Sequence, residues 1–226
     1  MATRDLTALR LAAVVESSDD AIFSEDLQGQ IESWNPAAES MFGFAAAEAV
    51  GQPVTIIIPE SERLSARTLT SKVHRGEGVR NFQTYRMRRS GELVPVSLAI
   101  SPIHDQADRV VGVATIARDI SHQLVIERDA LRLAAIVDSS DDAIASKDLN
   151  SIIQTWNRAA ERMFGWTAAE AVGRSIRMII PPERQSEEDD VLARIRRGEP
   201  VSHFETERVR KDGARIQISL TVSPIK

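Results

Sequence analysis

The side chains able to do acid–base or metal chemistry are few and scattered. The chain has four histidines, His74, His104, His122 and His203, and none has a second ligand-type residue at metal-site spacing. Three acidic runs are denser. Asp19-Asp20 and Asp141-Asp142 each follow a Ser-Ser pair, where adjacent side chains point apart and suit turn hydrogen bonds better than joint chelation. Glu187-Glu188-Asp189-Asp190 falls early in a predicted helix and complements its dipole, with a divalent-cation site as the weaker reading. Cysteine is absent, which excludes disulfides, thiolate metal centres, iron–sulfur clusters and cysteine nucleophiles. No serine has the partners of a catalytic triad. No phosphate-cradling loop occurs, and no histidine stands in a kinase phospho-acceptor context. These residues assign no catalytic group and no metal ligand, and the chain is expected to have no enzymatic activity of its own.

Two tryptophans remain as candidates for ligand contact. Trp34 lies in "ESWNPAAESMFGF", from Glu32, and Trp156 lies in a close copy, "QTWNRAAERMFGW", from Gln154. Either could line a cavity, although most such aromatics are ordinary core or rim residues.

The copying extends far beyond these phrases. The shift that takes Trp34 to Trp156 also takes Leu9 to Leu131, Gly51 to Gly173, Pro59 to Pro181, Phe82 to Phe204 and Pro102 to Pro224, with no gap. Each copy is long enough for its own small core. The 226 residues are 42% hydrophobic and 27% charged, which fits folded domains. A formal net charge of −5 and the lack of any basic block argue against nucleic-acid binding. Apolar runs such as Val54–Ile58 stop at Pro59, too short to span a bilayer, and no signal peptide is visible, so a cytoplasmic location is expected.

The elements that position these residues follow from pattern. Leu6 to Glu16 carries an apolar helical stripe. A strand near Ala21–Glu25, a turn at Asp26–Gly29 and a strand at Gln30–Trp34 predict a hairpin. In the second copy Ser151 replaces Gly29, and Asn150 is expected to supply the left-handed residue instead. Asn35 before Pro36-Ala37-Ala38-Glu39 reads as an N-cap with proline at the first helical position, and Asn157 repeats the cap. A second short helix, a buried turn at Ile56–Ile58 and a helix from about Glu60 to Arg75 follow. Strands near 79–88, 92–103 and 109–120 complete the unit, with Val94, Val96, Leu98 and Ile100 on one face. Two strands, several helices and three antiparallel strands make an α+β pattern.

Both copies resemble the PAS family. The residues that carry the likeness are "DAIFSEDLQGQIESWNPAAESMFGFAAAEAVGQPV", "RRSGELVPVSLAISPI" and "GVATIARDIS", with "DAIASKDLNSIIQTWNRAAERMFGWTAAEAVGRSI" and "RKDGARIQISLTVSPI" in the second copy. The resemblance implies two tandem PAS-like domains, each a five-stranded antiparallel sheet with helices on one face around a cavity. It gives PAS domain 1 with its leading helix over 1–121, a connecting signalling helix over 122–138 and PAS domain 2 over 139–226. It also implies a sensory or regulatory region of a bacterial-type signalling protein. Such a region binds a small ligand or cofactor and acts on an output domain, such as a histidine kinase or cyclase, outside this chain. Two alternatives stand beside this: a ligand-free scaffold for dimerisation or partner binding, and a redox sensor holding flavin non-covalently. The cofactor stays unknown. A light-driven flavin adduct needs the missing cysteine, and haem needs a histidine within the long helix, where His74 lies at the very end.

The joining segment "RDISHQLVIERDALRLAAIVDSSDDA" bears on signalling. Asp119 stands in an Asp-Ile-Ser phrase that resembles the family's exit into a signalling helix. Leu124, Leu131 and Ala135 lie on one helical stripe, and Leu6, Leu9 and Ala13 form the counterpart in the leading helix. A homodimer seam along these residues is expected. The second copy stops at Pro224-Ile225-Lys226, before any equivalent of 109–120, so the expectation is a C-terminally incomplete second domain in a longer protein.

Overall fold

The computed structural model describes residues 2–225, and the chain divides into two compact units between Glu127 and Arg128. In the first, α1 (Ala2–Glu16) precedes β1 (Ala21–Asp26) and β2 (Ile31–Trp34). The Asp26 carboxylate makes the hairpin turn by accepting from the N–H groups of Gln28 and Gln30, both at 2.8 Å, and Gly29 takes φ 81°. Asn35 caps α2 (Pro36–Phe42), and Gly43 ends it in the left-handed conformation, as the sequence predicts. Next come α3 (Ala46–Ala49), a 3₁₀ turn at Val54–Ile57 and another at Glu60–Glu62 that leads into α4 (Arg63–His74). The expected helix start near Glu60 is thus a tighter 3₁₀ turn, set by Pro59 before it.

Strands β3 (Val79–Met87), β4 (Leu93–His104) and β5 (Val110–Asp119) complete a five-stranded sheet of order β2-β1-β5-β4-β3, antiparallel throughout. Strand alternation buries Val94, Val96, Leu98 and Ile100 on one face of β4. They meet Leu69 and Val73 of α4, Ile57 of the first 3₁₀ turn and the Phe23–Trp34–Phe42 group in one core.

The Asn35 side chain joins three segments. Its Oδ1 accepts from Ala38 N and Ile22 N, both at 2.9 Å, and its Nδ2 donates to the carbonyls of Val15 at 2.9 Å and Asp20 at 3.1 Å. A single amide therefore satisfies orphan groups at the end of α1, the start of β1 and the start of α2.

Helix α5 (Ser121–Ser139) carries the chain onward. The second unit repeats the front half as β6 (Ala145–Lys147), β7 (Ile153–Trp156), α6 (Arg158–Phe164), α7 (Ala168–Ala171) and α8 (Ser186–Arg196). Strands β8 (Val201–Val209) and β9 (Arg215–Val222) follow. Among the described residues β6 pairs only with β7 and β9 only with β8, giving two separate two-stranded sheets and no counterpart of β5. Asn157 repeats the Asn35 junction, with Ile144 N, Ala160 N and the carbonyls of Val137 and Asp142 as partners.

The expectation for Asn150 is corrected. Ser151 itself holds the left-handed conformation at φ 68°. Its hydroxyl donates to the buried Glu188 carboxylate at 2.6 Å, and that bond offsets a backbone cost of about 1–2 kcal/mol.

Candidate functional site

Period-two alternation along β1 turns Ala21, Phe23 and Glu25 toward the core of the first unit. The first two are apolar, but the third is a glutamate. Glu25 is only 5% exposed, and its Oε2 has no hydrogen-bond partner among the described residues. On β3 the same alternation buries Thr84 and Arg86. Thr84 donates to Glu62 Oε2 at 2.7 Å, and Arg86 Nη1 donates to the Tyr85 carbonyl at 3.0 Å. Glu25, Thr70, Arg86 and Thr115 border a cavity of about 30 Å³, otherwise walled by apolar groups that include Ile58, Ala66 and Leu69. Such a volume admits about one water-sized group.

Burial dominates the electrostatics. It pushes the Glu25 carboxyl up to about 7, against the pull of the Arg86 guanidinium and with a smaller push from Asp26. Burial likewise lowers Arg86 to about 10, opposed by Glu62 and Glu25. The first unit therefore holds a buried carboxyl, raised toward neutrality, at the wall of a small cavity.

The second unit answers the same position differently. The repeat shift takes Glu25 to Lys147, Ala66 to Glu188, Thr84 to Thr206 and Arg86 to Arg208. Lys147 and Glu188 form a buried ion pair, with side-chain exposures of 16% and 5%. Arg208 and Thr206 bind Glu187 at 2.9 and 2.7 Å. The acidic run Glu187–Asp190 is thus largely committed to internal pairs: Glu187 also takes Arg184, and Asp189 takes Arg177. Among the described residues no three histidine, aspartate or glutamate side chains converge as metal ligands.

The tryptophans sit apart from the cavity lining. The Trp34 ring lies 5.1 Å from Phe23 and 5.5 Å from Phe42, and its indole N–H donates to the Phe44 carbonyl at 3.1 Å. Trp156 mirrors it, 5.3 Å from Phe164 and bound to the Trp166 carbonyl at 3.0 Å.

Asp119 links sheet and helix. Its Oδ1 accepts from Ser121 N at 2.8 Å at the start of α5, and its Oδ2 lies 3.6 Å from Arg88 Nη2. Arg88 also donates to the Met41 carbonyl at 2.8 Å, so it bridges α2 to the exit of β5. An open groove of about 570 Å³ runs beside this bridge, bordered by Glu16, Asp19, Met41, Arg88 and Asp119. On α1, Leu6, Leu9 and Ala13 are exposed, as are Leu131 and Ala135 on α5, while Leu124 is half-buried. Leu11, Val14, Leu133 and Ile136 add to these exposed faces. The histidines are all exposed.

Sequence reasoning alone misses Glu25 and Arg86. Two signals point to them: a glutamate on the apolar face of β1, and the change of Glu25 to Lys147 together with Ala66 to Glu188 across the repeat.

A family model described as PAS fold matches residues 9–120 and 131–226. Among curated proteins, phytochrome B of Sorghum bicolor is 27% identical over 180 residues, covering 74% of this chain and 15% of that protein. Phytochrome B of Arabidopsis thaliana is 25% identical over 181 residues, covering 75% of this chain and 15% of that protein. The chain thus spans about 15% of the length of these relatives. Among solved structures, an RNA-binding light-oxygen-voltage receptor is 22% identical with a TM-score of 0.50, covering 59% of this chain and 38% of that one. The PAS domain of a protein from Colwellia psychrerythraea is 25% identical with a TM-score of 0.48, covering 51% of this chain and 98% of that domain.

Proposed function

The chain belongs to the PAS family in both of its halves, and from that premise we propose that it is the sensory region of a bacterial-type signal-transduction protein, with the Glu25 cavity as its input site. One observation carries this reading: a buried carboxylate oxygen without a partner among the described residues, at the edge of a cavity in the core of the first unit. The route out is short. Glu25 pairs with Val113 of β5, and a Cβ on the neighbouring Gly112 would lie 2.8 Å from the Glu25 carbonyl oxygen, so the two backbones are in close contact there. Strand β5 ends at Asp119, which caps α5 and faces Arg88. A ligand in the cavity would shift β1 against β5, and with them the Asp119–Arg88 bridge and α5, biasing two arrangements of that helix. The exposed apolar residues of α1 and α5 favour a homodimer through these helices, which would carry the change to an output domain such as a histidine kinase or cyclase. In this reading the second unit is a spacer or relay, since the Lys147–Glu188 pair occupies its equivalent position.

The test needs no ligand. Ala66→Met fills the cavity, and hydrogen exchange then compares α1, β1 and α5 with wild type. The proposal expects altered protection in the first turns of α5. Protection changed around Phe23–Asp26 but identical throughout Ser121–Ser139 would refute the relay.

A further inference from the structure

The repeat acts as an internal control for what the first cavity lacks. In the second unit three cations, Lys147, Arg184 and Arg208, meet two carboxylates, Glu187 and Glu188. In the first, Arg86 alone faces the carboxylates of Glu25 and Glu62, with Asp26 adding a third negative charge nearby. The missing cations are those that Lys147 and Arg184 supply, because Glu25 and Glu62 stand at their positions. The missing acid on the helix is Glu188, whose position holds Ala66. Both pairs of positions span the first strand and the long helix. The small Ala66 borders the cavity that Glu25 also borders.

From this, resting on the reading of the Glu25 cavity as the input site, we infer that the first unit binds a primary ammonium group, as ammonium itself or as the head of a small amine, with Glu25 Oε2 as its acceptor. Three features fit. The unpartnered oxygen is an acceptor in its ionised form, and an ammonium offers three donors. The cavity volume of about 30 Å³ suits a group the size of water. The flanking Ile58 and Leu69 side chains suit a short alkyl tail. An anion would face Glu25 and Glu62 with only Arg86 to hold it, and Arg86 is already drawn on by both. A bound proton is the competitor, since burial holds the Glu25 carboxyl near 7, so the amine binds best on the alkaline side of that value.

The experiment titrates the full chain at about pH 8 with methylammonium chloride, against sodium chloride at equal ionic strength, followed by amide NMR. The expected result is a saturable shift at Phe23, Glu25, Ala66 and Leu69 with methylammonium only. In Glu25→Gln the affinity should fall about tenfold or more, as loss of a charge-assisted bond predicts. A second variant guards against simple misfolding. Glu25→Lys combined with Ala66→Glu transplants the second unit's ion pair, should stay folded, and should abolish the response. No saturable shift, or equal affinity in Glu25→Gln, overturns the inference. A metabolite that perturbs the same residues but carries only anionic or apolar groups also overturns it, while leaving the sensory reading intact. Methylammonium that binds without changing exchange in α5 upholds the ammonium site and defeats the relay instead.

Discussion

Replacing Glu25 by glutamine should uncouple the stability of the first unit from pH. Its carboxyl is held near 7 in the folded unit against an ordinary value of 4.5, chiefly by burial. At 1.36 kcal/mol for each pH unit, that difference is ~3 kcal/mol of linkage. The folded-state value lies above the unfolded one, so the folded unit holds the extra proton. The contribution is therefore fully present below about 4.5 and is lost as pH rises through about 7. Glutamine imitates the protonated acid in shape and cannot ionise. The variant should match wild type within ~1 kcal/mol at acid pH and exceed it by up to ~3 kcal/mol at pH ~8. Other titrating groups cancel in the difference between the two proteins. The assay is urea unfolding at several pH values, read from Trp34 fluorescence with Trp156→Phe and Trp166→Phe in both proteins, since the chain has three tryptophans. Trp34 packs 5.1 Å from Phe23, two residues from the substituted site, and so reports on this core. Parallel pH profiles with and without the Glu25→Gln substitution would refute the claim that the carboxyl is buried without adequate compensation.

Asn35→Ala strands the N–H group of Ile22 and removes side-chain bonds to the Ala38 N–H and to the carbonyls of Val15 and Asp20. The first unit should lose ~2–4 kcal/mol in urea unfolding, with faster exchange at Ile22. Glu188→Ala leaves the half-buried Lys147 without this partner, and the second unit should lose ~2–4 kcal/mol. The double variant Lys147→Met with Glu188→Leu should recover most of that loss, as read by urea unfolding monitored at Trp156. Leu9→Glu and Leu131→Glu put charge on the exposed apolar faces of α1 and α5, and light scattering should show each shifting a dimer toward monomer. A wild-type chain that scatters as a monomer at high concentration would remove the dimer from the signalling route.

The sequence alone determined the duplication, the α+β class, the N-caps at Asn35 and Asn157, and the apolar face of β4. These are short-range or periodic properties. A cap needs only the next three residues, a strand face needs only alternation, and a repeat needs only a constant shift. Among the described residues the second copy shows no counterpart of β5. Ser151 shows where local reasoning stops. Its left-handed backbone looks unfavourable beside Asn150 until the fold brings Glu188 within 2.6 Å of its hydroxyl. The candidate site lies largely on that side of the line. Glu25, Ala66, Arg86 and Thr115 are far apart in the chain, and only the pairing of β1 with β5 and the packing of α4 across the sheet make them neighbours. An isolated glutamate in a strand is ordinarily solvated. Tertiary structure decided that this one is buried with an unpartnered oxygen, because burial and hydrogen-bond satisfaction depend on what the rest of the fold places around a side chain, and not on the residues beside it.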